Sequence, residues 1–173
     1  ALDGGDPAVE VDARDVIYAQ DAPFTSKPNF IAKTKERFGG IVWGNEKTAV
    51  IYERWWNTRS ERTLIFNPSD STHSPRLFNQ RNSQDNYADP GDFVTKRNQF
   101  QLNTLDLTDD NLYMIGEGFT PEGKFPFIDQ YKISDFTKKR WYQCKETDRL
   151  EQIISAIDIK KGQFLTRLES KTS

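Results

Sequence analysis

The chain has 173 residues, enough for one ordinary domain with a real core and hardly enough for two. Acids and bases are mixed along it and nearly cancel, to a net charge of -2, which argues against a binder of nucleic acid or of anionic membranes. No run of about 18 apolar residues occurs, so no membrane-spanning helix is expected.

The start, "ALDGGDPAVEVDARD", has neither the basic nor the apolar region of a signal peptide. A mature secreted protein or a piece of a longer chain would look the same. Aromatic residues make up 13% and cluster with β-branched residues in short runs, which favours strands over helices.

In chain order, "AVEVDARDVIYAQ" supports one strand, at Val9–Val11 or Asp15–Ala19, and "DAPFTSKPN" reads as a connector. Four strands follow at Gly40–Trp43, Ala49–Trp55, Arg62–Asn67 and Arg76–Gln80. The segments between them, "GNEK", "NTRSE" and "PSDSTHSP", are rich in turn formers, so the four make an antiparallel meander. Residues 82–98 read as a loop around Asp-Pro-Gly. The pattern restarts with Phe100–Leu105, Leu112–Phe119, Pro126–Ile133 and Arg140–Cys144, and again with Glu151–Ile159 and Gln163–Ser170 around the turn "KKG".

The repeat is visible in single phrases. "IFNPSDSTHSPRLFNQ" and "YKISDFTKKRWYQC" both give strand, polar turn with Ser-Asp, then Arg opening a second strand. Unit starts recur at roughly 50 to 60 residues, the range of a propeller blade with generous loops. The expected fold is therefore all-β, with antiparallel four-stranded meanders forming consecutive blades of a partial β-propeller. The units fall at about 1–30 (the end of a blade), 38–81, 99–145 and 150–173. The last holds only two strands, and a lone hairpin leaves an edge unsatisfied, so the chain reads as part of a longer one.

The chemistry-bearing residues are few. His73 is the sole histidine and lies in a polar turn, and no G-x-S-x-G elbow is present, so no triad can be assembled. One histidine and one cysteine cannot supply a zinc site, and no phosphate loop or calcium loop appears. Asp89 and Asp92 in "YADPGDF" form a carboxylate pair, but Asp-Pro-Gly-Asp is first of all turn chemistry. "YERWWNTRSER" interleaves aromatics with Arg54, Arg59 and Arg62, which could meet an anionic group. Strand alternation sends Trp55 and Trp56 to opposite faces, so packing competes with that role, and Glu53 and Glu61 reduce the local field. Cys144, at the end of an apolar strand, is expected as a small buried residue.

Several segments together carry more than any one. "LDGGDPAVEVDARDVIY", "VIYERWWNTRSERTLIFNP", "NYADPGDF", "GFTPEGKFPFIDQYKI" and "RLESKTS" resemble, in order and over essentially the whole chain, the prolyl oligopeptidase family of serine peptidases. The branch concerned holds the bacterial relatives of the plastid glutamyl endopeptidase. "SDSTHSP" shows no such match. The resemblance implies an N-terminal propeller segment with no catalytic residue of its own, which gates and positions peptide substrate for a C-terminal α/β-hydrolase domain beyond residue 173. It implies no cofactor and no metal, with no nucleic acid or membrane among the partners. Arg54, Arg59 and Arg62 are then the first candidates to contact a substrate Glu. It also implies a periplasmic or otherwise exported protein, with a cytoplasmic location left open. The alternative is a free-standing propeller-like module that binds protein or carbohydrate. Open blade edges imply self-association of the isolated segment.

Overall fold

Short apolar runs separated by Asx and glycine turns decide the architecture. The computed structural model describes residues 2–3, 5–6, 9 and 11–170. They are all-β, with one short 3-10 turn at Ile159–Lys161 and no α-helix among them. The chain divides into two compact units, residues 1–84 and 85–173.

In the first unit, β1 (Leu2–Asp3), β2 (Asp15–Ala19) and β3 (Asn29–Thr34) form a three-stranded antiparallel sheet in that order. A four-stranded meander follows, β4 (Arg37–Asn45), β5 (Thr48–Trp55), β6 (Ser60–Phe66) and β7 (Arg76–Asn82), with neighbours paired in sequence order. Its turns use side chains to satisfy backbone amides. Asn45 accepts from the amide of Lys47 at 2.9 Å, and Asn67 from that of Ser69 at 3.0 Å.

The two sheets pack face to face. Ile17 and Ala32 of the first meet Ala49, Ile51, Leu64 and Phe66 of the second. Alternation along β5 puts Ala49 and Ile51 on that face, yet Val50, on the other, is also fully buried. That is why β5 reads as a continuous apolar run. Each buried aliphatic side chain contributes about 1.5–3 kcal/mol of hydrophobic stabilisation.

The second unit contains β8 (Asp92–Phe93), β9 (Thr95–Arg97), β10 (Asn103–Leu105), β11 (Asn111–Gly116), β12 (Phe119–Thr120), β13 (Gly123–Lys124), β14 (Phe127–Lys132), β15 (Lys138–Gln143), β16 (Leu150–Asp158) and β17 (Gln163–Glu169). Strands β15, β14, β11 and β8, in that order, build a second four-stranded antiparallel sheet. The β16–β17 hairpin packs onto it. Val94, Tyr113, Ile128 and Ile159 are the buried centre, flanked by Trp141, Tyr142, Ile153 and Phe164. Gly91 is required where the chain enters β8. Its φ is +86°, and a Cβ there would stand 2.2 Å from the carbonyl oxygen of Ile115.

The two phrases that repeat in the sequence are the same hairpin in two sheets. Strands β6–β7 and β14–β15 each supply the last two strands of a four-stranded antiparallel sheet. Three details depart from the sequence reading. Asn29–Thr34 is a further strand, and of the two placements expected for the first strand Asp15–Ala19 forms while Val9 and Val11 lie outside any strand. Phe100–Leu105 is a strand only at Asn103–Leu105, and it pairs with Thr95–Arg97 instead of joining the meander. The cause is local. Asn98 accepts from the amides of Phe100 (2.9 Å) and Leu102 (3.1 Å), which curls "NQFQL" into a tight turn and leaves Phe100 exposed. The first place in that sheet goes instead to Asp92–Phe93, inside the stretch read as loop.

Candidate functional site

The segment that gathers most side-chain chemistry in the first unit is "YERWWNTRSER", the end of β5, its turn and the start of β6. Glu53 and Arg62 stand directly opposite in the antiparallel register, so their side chains share a face and form an ion pair. Glu53 is 2% exposed. Its carboxylate also accepts from the amides of Lys35 (3.3 Å) and Glu36 (3.2 Å), in the turn that joins the two sheets. Burial pushes the Glu53 carboxyl above its ordinary value, against the opposing pull of Arg62 and the two amides.

The three arginines singled out from sequence are not brought together. Arg54 is opposite Glu61, on the face of β5 and β6 away from Glu53 and Arg62, and it is exposed. Arg59 sits in the turn at φ +58°, with its guanidinium 3.6 Å from the Trp56 ring centroid. Trp56 itself is 74% exposed. Trp55 is half-buried, with the guanidinium of Arg14 at 4.8 Å from its ring. Arg14 is buried and donates to the carbonyls of Asp6 (2.7 Å) and Val9. One tryptophan packs and the other is presented to solvent.

The other candidates are placed as follows. His73 is an exposed turn residue whose Nδ1 lies 2.7 Å from Asp70 and 3.1 Å from the Thr72 hydroxyl. The hydrogen bonds from Thr72, and next that to His73, hold the Asp70 carboxyl down to about 2. Asp89 accepts from the amide of Gly91 at 2.9 Å, while Asp92 lies in β8 opposite Ile115. Cys144 is buried, and burial pushes its thiol up. Among the described residues no group of three or more His, Cys, Asp or Glu is placed to hold a metal ion.

Three buried carboxylates escaped the sequence reading: Asp15, which accepts from the amide of Phe38 at 2.7 Å and pairs with Arg37 at 3.3 Å, and two in the second unit. Asp129, 1% exposed, is bonded by Arg140 Nε at 2.5 Å and Nη2 at 3.2 Å, with Lys138 at 3.7 Å. Glu151 accepts from the Tyr142 hydroxyl, at 2.9 and 2.8 Å to its two oxygens. Cross-strand Asp–Arg pairing on neighbouring strands was the available signal for Asp129. Nothing in the sequence marks Asp15 or Glu151.

With this geometry in view, the comparisons with known proteins are specific. The chain is 34% identical over 98% of its length to the protein of Oryza sativa subsp. japonica named "Probable glutamyl endopeptidase, chloroplastic". It is 33% identical, again over 98% of its length, to the Arabidopsis thaliana protein of the same name. Both relatives are named as endopeptidases. The chain spans about a fifth of the length of the curated relatives it matches (20% and 19%). No family model matches it, and no solved structure matches it.

Proposed function

We propose that this chain is a non-catalytic β-propeller segment of a prolyl oligopeptidase-family serine peptidase of the glutamyl endopeptidase type, of bacterial origin and exported. In this reading its sheets are consecutive blades. They restrict access to the active site and position peptide substrate for an α/β-hydrolase domain elsewhere in the same protein. The observation that carries the proposal is similarity along essentially the whole chain to two proteins named as endopeptidases, of which it matches only a fifth. Repetition of a four-stranded antiparallel meander agrees with it.

Of the three arginines, Arg54 and Arg59 are the stronger substrate contacts, because Arg62 is engaged with Glu53. Arg59 over the exposed Trp56 ring would present a carboxylate with charge on one side and an aromatic edge on the other.

The test uses the intact protein, a peptide containing a single Glu, its Gln counterpart, and a serine-directed phosphonate whose labelled residue is mapped by mass spectrometry. The expected result is Glu-preferring cleavage with the label outside residues 1–173. A label inside residues 1–173, or cleavage untouched by the reagent, overturns the reading. A free-standing module for protein or carbohydrate would give neither cleavage nor label.

A further inference from the structure

Beside the Glu53–Arg62 pair, the first unit holds a cleft of about 270 Å³, lined by residues of β3, by the buried pair and by the β6–β7 turn. Its charges are unevenly satisfied. Glu53 is fully committed to Arg62 and two backbone amides, and it lies beneath them. Lys33 and Lys35 line the same cleft, are exposed, and have no acidic partner among the described residues. Ser71 and Ser74 contribute hydroxyls, and His73 an imidazole whose Nδ1 faces Asp70.

We propose that this cleft is a binding site for a small multivalent oxyanion, a phosphate group or a polycarboxylate, held by Lys33 and Lys35 and by the hydroxyls of the β6–β7 turn. Three points support it. The lining carries three Lys or Arg side chains, Lys33, Lys35 and Arg62, against two carboxylates, Asp12 and Glu53, on a chain whose net charge is -2. Two of the lining cations, Lys33 and Lys35, are exposed lysines, compact charges on flexible stems that can reach a ligand without disturbing the sheet. The hydroxyls can donate hydrogen bonds to the oxygens of such a group. The site lies on the face of β5 and β6 opposite Arg54, so it is separate from that proposed substrate contact and shares with the others only Arg62, which is held by Glu53.

The test is calorimetric titration of the intact protein with inorganic phosphate, with citrate and with a Glu-rich peptide, at constant ionic strength. Saturable binding of phosphate or citrate is expected. It should weaken roughly five- to tenfold in the K33A/K35A double variant, the scale that two partly exposed charge contacts supply. The K47A variant, which removes an exposed lysine that does not line the cleft, should bind as the parent does. Binding of phosphate alone or citrate alone tells which source of oxyanion the cleft takes. Absence of saturable binding of either, binding of the peptide only, or equal weakening in K47A overturns the proposal. Circular dichroism spectra of both variants matching the parent exclude misfolding as the cause of a loss.

Discussion

Glu53 and Arg62 face each other across two adjacent strands, and the same carboxylate accepts from the amides of Lys35 and Glu36, just before β4. One acidic side chain thus ties β5, β6 and the turn between the two sheets of the first unit. Removing one partner leaves the other charge buried, which costs about 3–5 kcal/mol. Arg62→Ala is therefore expected to destabilise by that order, measured by urea denaturation. Arg54→Ala should change the midpoint little, because Arg54 is exposed on the other face.

Glu53 also sets a pH dependence. Its carboxyl is raised above the ordinary 4.5 by burial, so the folded state holds that proton more tightly than the unfolded state does. The group's contribution is then greatest in acid and falls as pH rises through the window above 4.5. Glu53→Gln cannot titrate. The stability deficit of that variant should therefore shrink from acidic to neutral buffer, and a deficit that grows over the same range would contradict the assignment.

Core and rim should separate cleanly. Ile51 is fully buried, so Ile51→Ala should cost about 2–5 kcal/mol in the same denaturation experiment. Trp56 is larger but 74% exposed, and Trp56→Ala should stay near the ±0.5 kcal/mol typical of surface changes. If the intact protein is the peptidase proposed above and the Trp56–Arg59 pair contacts its substrate, the same variant should raise KM for a Glu-containing peptide.

Two phenols should titrate late. Burial, aided by Asp129, pushes Tyr131 up to about 12, and burial with the hydrogen bond to Glu151 does the same for Tyr142. Ultraviolet titration of the native protein should show a fraction of its tyrosines ionising only near 12. Tyr142→Phe should remove part of that late fraction, and an unchanged curve would count against the Tyr142–Glu151 contact.

The carboxylates of "YADPGDF" provide a negative control for catalysis. Asp89 is used in turning the chain and Asp92 in pairing β8, so Asp89→Asn and Asp92→Asn should leave the peptidase turnover proposed for the intact protein unchanged. Loss of turnover with the fold preserved would restore the pair as acid–base candidates.

The meander of the first unit was legible because Asn, Asp, Ser and Gly mark its turns and apolar runs mark its strands. In the second unit the edge strand β8 was not. Phe93 and Asp92 are too few to carry an alternation, and Gly91, which admits them beside Ile115, reads locally as ordinary loop chemistry. Around Asn98 the side-chain turn outweighed the β propensity of "FQL". Arg54, Arg59 and Arg62 were close in sequence, but strand alternation and a tight turn sent them three ways. The lysines of the cleft could not have been found without β3, which brings Lys33 and Lys35 to the same opening as a turn some 40 residues later.

The amides that Glu53 holds belong to residues 17 and 18 positions earlier in the chain. Those bonds form only once β5 has paired with β4 and presented the carboxylate, and Arg62 of β6 then completes its ion pair. The packing of the first sheet therefore waits on a later-synthesised segment. Emerging from a ribosome, the first three strands would stay unanchored until residue 62 had cleared the exit, and truncation before it should leave them open to proteolysis.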